Sequence, residues 1–433
     1  MTARFSAPAL AALLLCASTL GPAHALESRA PAAILLAQAA PAAEPAPRAA
    51  DALLDEVWRT VRDRFYDPKM HGLDWEAARE RHRPAMLAAA SDEGRARVVN
   101  AMLDELKASH TRLYTQAEPA YYQLLDIFQG AVGREALRRM FPNGEIQYPG
   151  IGADTREDER GRAFVKGVIP GTPAGAAGLL VGDEIVSAGG APFRPVASFR
   201  GKAGESVTLQ VRREAGGPLI ELPVLPEALR PGPMFLKGLE EGARVIEADG
   251  ARVAYVRVWS YAGQQYQRSL ERLISSGPLK DADALVWDLR DGWGGAQPWY
   301  LDLFNMRGVT LRTTDREGRS GIVNPKWRKP AAMLTNEGTR SGKEILAHGF
   351  KRQGIGELVG TRTTGAVLAG TAFLMGDDSL LVVAVNDVDV DGERLEGAGV
   401  TPTVEVPFDS RYAAGRDPQL DRAVEILSRA RRG

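Results

Sequence analysis

The chain has 433 residues, of which 44% are hydrophobic and 25% charged, so it is long enough for two or three globular domains. The formal net charge of −1 gives no reason to expect nucleic acid or an anionic membrane as a partner. The chain holds a single cysteine and five histidines, without clusters, so we expect no disulfide, no thiol nucleophile, no metal site and no cofactor.

Residues 1–25 have the pattern of a secretory signal peptide. Arg4 precedes a mainly apolar run over 9–20, and residues 23–25 form a small-x-small cleavage signature. The pattern predicts a periplasmic or secreted protein. The apolar run is too short to cross a bilayer as a mature helix, so we expect no integral membrane span in the mature form.

Two regions with different patterns follow the signal sequence. Residues 26–48 are rich in alanine and proline without helical periodicity, which predicts a flexible linker. Residues 49–130 are predicted to form an N-terminal helical domain, because apolar residues recur at helical spacing. The first apolar stripe consists of Leu53, Leu54, Val57, Trp58, Val61 and Phe65.

His110 follows a second helical pattern and is the best general-base candidate by elimination. His24 lies in the predicted signal peptide, and His71 and His82 lie among polar residues. His348 is seven positions after the serine considered below on one predicted helix, roughly 10 Å away. A histidine that is merely exposed or hydrogen-bonded at a helix end remains an alternative for His110.

Residues 144–228 change to short, glycine-punctuated strands with one short helix, which predicts a small β-rich domain. From 229 to 433, buried-strand runs alternate with helical patterns, which predicts an α/β core with crossover connections. Residues 288–295, Asp-Leu-Arg-Asp-Gly-Trp-Gly-Gly, follow one such strand. Glycines there allow a sharp turn that points bare N–H groups at one spot, although a purely structural loop is the alternative.

Ser341 is the best nucleophile candidate, because it lies between the apolar segment 331–334 and an amphipathic helical pattern. A hydroxyl at a helix start lies beside unpaired N–H groups and the positive end of the helix dipole. The alternative is a serine that only caps the helix.

Taken together, the motifs around residues 288–295, Ser341 and His110 resemble the carboxyl-terminal processing (tail-specific) peptidases and the related tricorn core. Glu344 matches the glutamate that follows the serine in that superfamily, and Gly292 stands where asparagine is usual. The tail-specific branch places a lysine base at the position of Ala366, so the Ser-Lys dyad is absent.

The tricorn-like branch uses a Ser-His pair and a distant glutamate instead. Ser109 and His110 match that pair, and Glu396 matches the glutamate. The mechanism that this resemblance implies has Ser341 as nucleophile, His110 as base, and Glu396 orienting the imidazole through Ser109. The N–H groups of the two glycines flanking the reaction centre, Gly342 and Gly294, would hold the oxyanion.

Within 144–228, the words Pro-Gly-Thr-Pro-Ala and Gly-Asp-Glu-Ile look like a PDZ domain, and Gly150, Ile151 and Gly152 match its carboxylate-binding turn. Such domains add an extended peptide as an extra strand. A β-domain with a purely structural role is the alternative.

The overall prediction is a multidomain α/β protein: an N-terminal helical domain, a β-rich PDZ-like domain and a C-terminal α/β peptidase core. The predicted function is an exported serine endopeptidase whose partners are protein or peptide substrates, selected by their C-terminal tails. A catalytically inactive relative that binds peptides or a lipophilic ligand is the main alternative, and another acyl-transfer or hydrolase activity is the third. The sequence leaves open a homo-oligomer or an adaptor protein.

Overall fold

The computed structural model describes residues 50–304, 311–323 and 326–430. The predicted signal peptide and linker lie outside these residues and stay predictions, as do the predicted domain boundaries. Within the described residues, no helix is both long and apolar enough to cross a membrane.

Helices and strands of very different length follow one another along the chain. The α-helices are α1 (Ala50–Arg64), α2 (Trp75–Ala88), α3 (Asp92–Asp104), α4 (Pro119–Ile127), α5 (Gln129–Val132), α6 (Arg134–Met140), α7 (Pro173–Ala176), α8 (Pro231–Gly242), α9 (Gln264–Ser275), α10 (Gly342–Arg352) and α11 (Pro418–Ala430). The strands before α8 are β1 (Arg112–Tyr114), β2 (Tyr148–Gly150), β3 (Ala153–Glu157), β4 (Ala163–Val168), β5 (Glu184–Ala188), β6 (Ala191–Pro192), β7 (Val207–Arg212), β8 (Leu219–Val224) and β9 (Glu227–Leu229). The later strands are β10 (Arg244–Ala248), β11 (Ala251–Arg257), β12 (Ala284–Asp288), β13 (Leu311–Thr314), β14 (Ser320–Val323), β15 (Ala331–Thr335), β16 (Glu357–Gly360), β17 (Ala369–Leu374), β18 (Leu380–Asn386) and β19 (Val404–Glu405).

Helices α1 to α3 pack against one another and against a hairpin from the far end of the chain. Asp74 and Ser91 cap α2 and α3 by accepting hydrogen bonds from N–H groups of the first turn. Leu54 and Met102 are fully buried and pack in one cluster with Leu381 of β18. The N-terminal helical region is therefore attached to the C-terminal half by a shared apolar core.

Strand β1 interrupts the region that we predicted to be helical. It pairs antiparallel with β18, in a three-stranded sheet of order β1-β18-β17. Helix α3 ends at Asp104, so His110 lies in a turn before β1 and the prediction of a helix-terminal histidine is wrong. Three residues of β1 carry too little local signal to predict a strand, and contacts with distant or neighbouring elements stabilise them: pairing with β18, and two hydrogen bonds between Leu113 and the Asn100 side chain of α3.

The central sheet has the order β10-β11-β12-β15-β16-β19, and every pairing from β11 onward is parallel. All five residues of β12 and of β15 are buried, because helices cover both faces. In β12, Leu285 packs on the side of α8 to α10, whereas Val286 packs on the side of α11. The carboxyl ends of the neighbouring strands β12 and β15 thus lie side by side, where ligand sites form in such sheets.

The β-rich region forms a sheet of order β3-β4-β5-β7-β8, with β6 paired to β5 and a separate core of its own. Its strand β3 pairs with β4 alone among the described strands, so the outer edge of β3 has no strand beside it. Lys166 of β4 forms an ion pair of 2.7 Å with Asp291 of the glycine-rich loop. The predicted fold class of mixed helices and sheets, with a helical N-terminal region, is confirmed.

Candidate active site

The glycine-rich loop and Ser341 meet at the carboxyl ends of β12 and β15. Gly294 lies so close to Ser341 that a Cβ built on this glycine would be 2.5 Å from the serine Cβ. A Cβ on Gly342 would lie 2.4 Å from the backbone nitrogen of Ala296. Only glycine fits at these two contacts, and the approach of the loop to the start of α10 depends on both.

Ser341 occupies the N-cap position of α10 with φ +58° and ψ −132°. Positive φ is strained for a residue with a side chain, costing about 1–3 kcal/mol, and such strain concentrates at functional sites. Two hydrogen bonds hold the strained residue: its N–H donates to the Ala366 carbonyl at 2.8 Å and to the Glu344 carboxylate at 3.2 Å. The capping alternative and the nucleophile hypothesis both place Ser341 at the start of the helix. A serine that only caps a helix, however, does not require this positive-φ backbone conformation.

Glu344 holds the segment that faces Ser341. Its carboxylate accepts hydrogen bonds from the Thr363 hydroxyl at 2.5 Å and from the N–H groups of Gly365 and Ala366, each at 2.7 Å. Burial raises the pKa of Glu344, and these donors oppose that rise. The sequence marked Glu344 only as a family match, and its capping-box spacing was the one local signal of this role.

Two backbone donors lie beside Ser341. Among the described residues, no acceptor takes a hydrogen bond from the N–H of Gly294 or Gly342. A Cβ on Gly294 would lie 3.0 Å from the Gly342 nitrogen, so the two glycines are close neighbours. Unpaired N–H groups at a helix start can stabilise an oxyanion that forms on a carbonyl attached to the serine.

Lys343 does not supply the missing amine. Its side chain is fully buried, and Nζ donates to the carbonyls of Val258 and Asp291, each at 2.7 Å. Burial lowers the pKa of Lys343 to about 7. The amine therefore ties the end of β11 to the glycine-rich loop. Ala366, at the lysine position of the tail-specific branch, contributes its carbonyl to Ser341 instead.

The structure brings together the predicted residues Ser109, His110 and Glu396. The Ser109 hydroxyl lies 3.0 Å from His110 Nδ1 and donates to the Glu396 carboxylate at 2.9 Å. Glu396 also accepts from the N–H groups of Ser109 at 2.9 Å, Val367 at 2.8 Å and Leu368 at 3.3 Å. Contacts thus link the glutamate to the imidazole through Ser109, in the order that the resemblance implies.

Burial and, to a smaller extent, the charge of Arg340 lower the pKa of His110 to about 4, although Glu396 opposes both effects. A neutral imidazole at pH 7 can accept a proton, as a general base must. In the described part of the chain, however, no hydrogen bond joins His110 to Ser341, so the predicted contact of about 3 Å is not made. Residues 366–367 connect the Ser341 part of the site to the His110 part. The carbonyl of Ala366 accepts a hydrogen bond from the N–H of Ser341, and the N–H of Val367 donates to the Glu396 carboxylate.

The predicted peptide-binding turn follows β2. Gly150 ends that strand, and the carbonyls of Ile151 and Gly152 accept hydrogen bonds from Ala174 and Ile169. The N–H groups of Ile151 and Gly152 have no acceptor within the described ranges. Gly152 has φ +76°, which favours glycine, and these donors lead directly into the free edge of β3. A terminal carboxylate could bind at such a turn.

Three parts of the chain match known protein families. The model of peptidase family S41 matches residues 252–406, the tricorn protease C1 domain matches 50–104, and a PDZ domain matches 164–213. The resemblance to the carboxyl-terminal processing peptidases is confirmed. The C1 match covers the helices that precede the Ser109-His110 pair, and the S41 match includes Ser341 and Glu396.

Relatives of both branches are similar over most of the chain. The putative tricorn protease homolog 2 of Streptomyces coelicolor is 27% identical over 86% of this chain and 32% of its own length. The tricorn protease homolog 1 of the same organism is also 27% identical, over 86% of this chain and 34% of its own length. The chain therefore spans about a third of the tricorn homologues that it matches. The carboxyl-terminal-processing protease of Picosynechococcus sp. is 24% identical over 87% of this chain and 89% of its own length.

A crystal structure of the tricorn protease superposes with a TM-score of 0.54 at 20% identity, covering 89% of this chain and 37% of that one. This likeness concerns the fold. The catalytic and peptide-binding roles of the residues above stay predictions that the geometry places but does not test.

Proposed function

We propose that the protein is an exported serine endopeptidase that cleaves protein or peptide substrates. The observation that carries the proposal is the strained Ser341 at the start of α10, held by Glu344 and flanked by the unpaired N–H groups of Gly294 and Gly342. A serine that only capped the helix would need neither the strain nor the two free donors. The match to peptidase family S41 over residues 252–406 supports the same chemistry.

In the proposed mechanism, Ser341 attacks a peptide carbonyl while His110 takes the hydroxyl proton and later donates it to the leaving amine. Gly294 and Gly342 stabilise the oxyanion, each donor lowering the barrier by about 3 kcal/mol. Because His110 and Ser341 share no hydrogen bond here, the histidine approaches the serine when substrate binds. Catalytic hydrogen bonds are often longer without substrate than in the reacting complex.

The test replaces Ser341 and His110 separately by alanine and measures hydrolysis of an unfolded protein substrate. Both variants should lose turnover by about three orders of magnitude or more. A serine-directed fluorophosphonate should label the wild type and leave Ser341→Ala unlabelled. Full turnover in either variant would contradict these roles.

A catalytically inactive peptide-binding protein is the second candidate. It is favoured by Ala366, which replaces the amine of the tail-specific branch, and by the missing hydrogen bond between His110 and Ser341. The two candidates differ in one measurement. A protein that binds peptides with free C-termini but gives no fluorophosphonate adduct is the inactive relative.

We further propose that the PDZ-like region selects substrates by their C-terminal tails. The N–H groups of Ile151 and Gly152 are free to bind a terminal carboxylate, and the edge of β3 can pair with the residues before it. Peptides with free C-termini should therefore be cleaved faster than the same peptides with amidated C-termini. Equal rates would remove tail selection from the proposal.

Export rests on the sequence of residues 1–25 alone. Cell fractionation with N-terminal sequencing of the mature chain tests it. We expect a protein outside the cytoplasm that starts after residue 25. An intact N-terminus in the cytoplasmic fraction would contradict export.

A further inference from the structure

Arg340, the residue before Ser341, has a charged side chain that makes no hydrogen bond or ion pair with any other described residue. Among the described residues, no carboxylate or carbonyl accepts a hydrogen bond from it, and none lies at ion-pair distance. Its Nε is buried and unpaired. By contrast, Arg290 and Arg257 in the same core each form ion pairs, with Asp288 and Asp291.

The guanidinium of Arg340 lies over an aromatic ring that is itself fixed. Its Cζ is 5.4 Å from the centroid of the Trp293 ring, and the indole N–H donates to Gln123 at 2.7 Å. Cation–π contact at this distance is favourable but leaves the N–H donors of the guanidinium edge free. The side chain is therefore held in place with its hydrogen-bonding edge unused.

Arg340 lies where three parts of the molecule meet. After burial, its charge is the second cause of the lowered pKa of His110, and it opposes the burial that raises the pKa of Tyr114 in the N-terminal region and of Asp154 on β3. Its charge also contributes to the lowered pKa of the buried Lys343. Asp154 is the one carboxyl among these four groups, but burial raises its pKa, and no ion pair between Asp154 and Arg340 is found in the described part of the chain. An unpaired, partly buried cation is costly, and a carboxylate would remove that cost.

We propose that Arg340 determines substrate specificity by binding a carboxylate of the polypeptide next to the scissile bond. This inference rests on the proposed peptidase function and names a substrate class for the same site. Guanidinium and carboxylate form two parallel hydrogen bonds, which fixes orientation as well as affinity. The carboxylate can come from an aspartate or glutamate side chain or from the C-terminus of the chain being cut.

The position of Arg340 predicts an effect on catalysis as well as on binding. A bound carboxylate compensates the charge that lowers the pKa of His110. The imidazole then becomes a stronger base, because its protonated form is less disfavoured. Acidic substrates should therefore have a higher kcat as well as a lower KM than neutral ones.

The experiment uses the full-length protein and a set of fluorogenic peptides that differ only by aspartate or asparagine at each of the positions around the cleaved bond, with free or amidated C-termini. The wild type should cleave the best aspartate peptide about 10- to 100-fold faster in kcat/KM than its asparagine twin. Arg340→Met should lose this preference, so that the variant cleaves each aspartate peptide and its asparagine twin at similar rates, and Arg340→Lys should restore part of it. Arg268→Met, an exposed substitution on α9, is the control for losing one positive charge and should keep the preference.

The outcomes distinguish a substrate side chain from a substrate C-terminus as the source of the carboxylate. They also distinguish the role of Arg340 from that of the PDZ-like region. A preference that survives C-terminal amidation assigns the carboxylate to the substrate side chain, and one that amidation abolishes assigns it to the terminus. A tail preference that persists in Arg340→Met belongs to the PDZ-like region, and an aspartate preference that persists there overturns the inference. Fluorophosphonate labelling of Arg340→Met confirms an intact Ser341. If the wild type cleaves no peptide, the proposed peptidase function fails and the inference fails with it.

Discussion

Glu344 and Glu396 hold adjacent parts of one segment, yet they do so in opposite ways. Glu344 accepts hydrogen bonds from the N–H groups of residues 365 and 366, and Glu396 accepts from those of 367 and 368. Glu344 is fully buried and three residues from Ser341, whereas Glu396 is half-buried and binds Ser109, 287 residues away. The nucleophile is thus fixed within the core, but the base depends on docking of a distant region.

The largest expected effect is that of Glu344→Ala, because the substitution leaves several buried donors unsatisfied. We expect a loss of about 3 kcal/mol or more in the free energy of unfolding, together with loss of fluorophosphonate labelling at Ser341. Urea denaturation measures the first. Glu337→Ala, at an exposed position of the loop before Ser341, is the matched control and should change stability little. Equal stability of the two variants would contradict the structural role that we assign to Glu344.

Glu396→Gln should separate activity from stability. The half-buried carboxylate orients Ser109 and His110, so we expect kcat/KM to fall by about 10- to 100-fold. The free energy of unfolding should change by less than about 1.5 kcal/mol, since the amide oxygen of glutamine still accepts some of these hydrogen bonds. Peptide hydrolysis and urea denaturation of the same preparation decide. Destabilisation as large as that of Glu344→Ala would show that both glutamates are structural.

The buried Lys343 gives a further test of how residues in the core around Ser341 affect stability. Because its pKa is lowered to about 7 in the folded state, the unfolded chain binds more protons between pH 7 and 9, and stability rises with pH there. The expected gain for the wild type is roughly 2 kcal/mol from pH 7 to pH 9. Lys343→Met should lack this rise, and Lys351→Met, an exposed substitution on the same helix, should keep it. Denaturation curves at the two pH values test the sign.

The smallest expected effect is a shift in the pH profile of peptide hydrolysis. Since the pKa of His110 is lowered to about 4, kcat/KM for a neutral peptide should stay flat from pH 7 downward and fall only near that value. Glu396 raises the pKa of His110, so Glu396→Gln should move the acidic limb to still lower pH. A limb near pH 6.5 would indicate a solvent-exposed imidazole and contradict the described environment.

Much of the part of the site around Ser341 could be predicted from local sequence. The apolar run 331–334 predicted β15, and the pattern after Ser341 predicted α10. Both patterns can be recognised in consecutive residues, as a continuous apolar run and as helical spacing. The glycine-rich loop was predictable for the same reason, since only glycines permit its approach to Ser341. The mixed fold class and the resemblance to processing peptidases followed from such segments.

The part of the site around His110 was determined by tertiary structure. Strand β1 exists because β18 pairs with it, and that pairing, not a helix end, sets the turn that carries His110. Nothing in the sequence near Arg340 indicates that its charge lacks an ion-pair partner among the described residues, because pairing depends on which carboxylates the packed domains bring within reach. Local periodicity and backbone preference thus determined the elements and the serine. Contacts between residues hundreds of positions apart determined the environments of His110 and Arg340, since the energies of these contacts exist only after the regions dock.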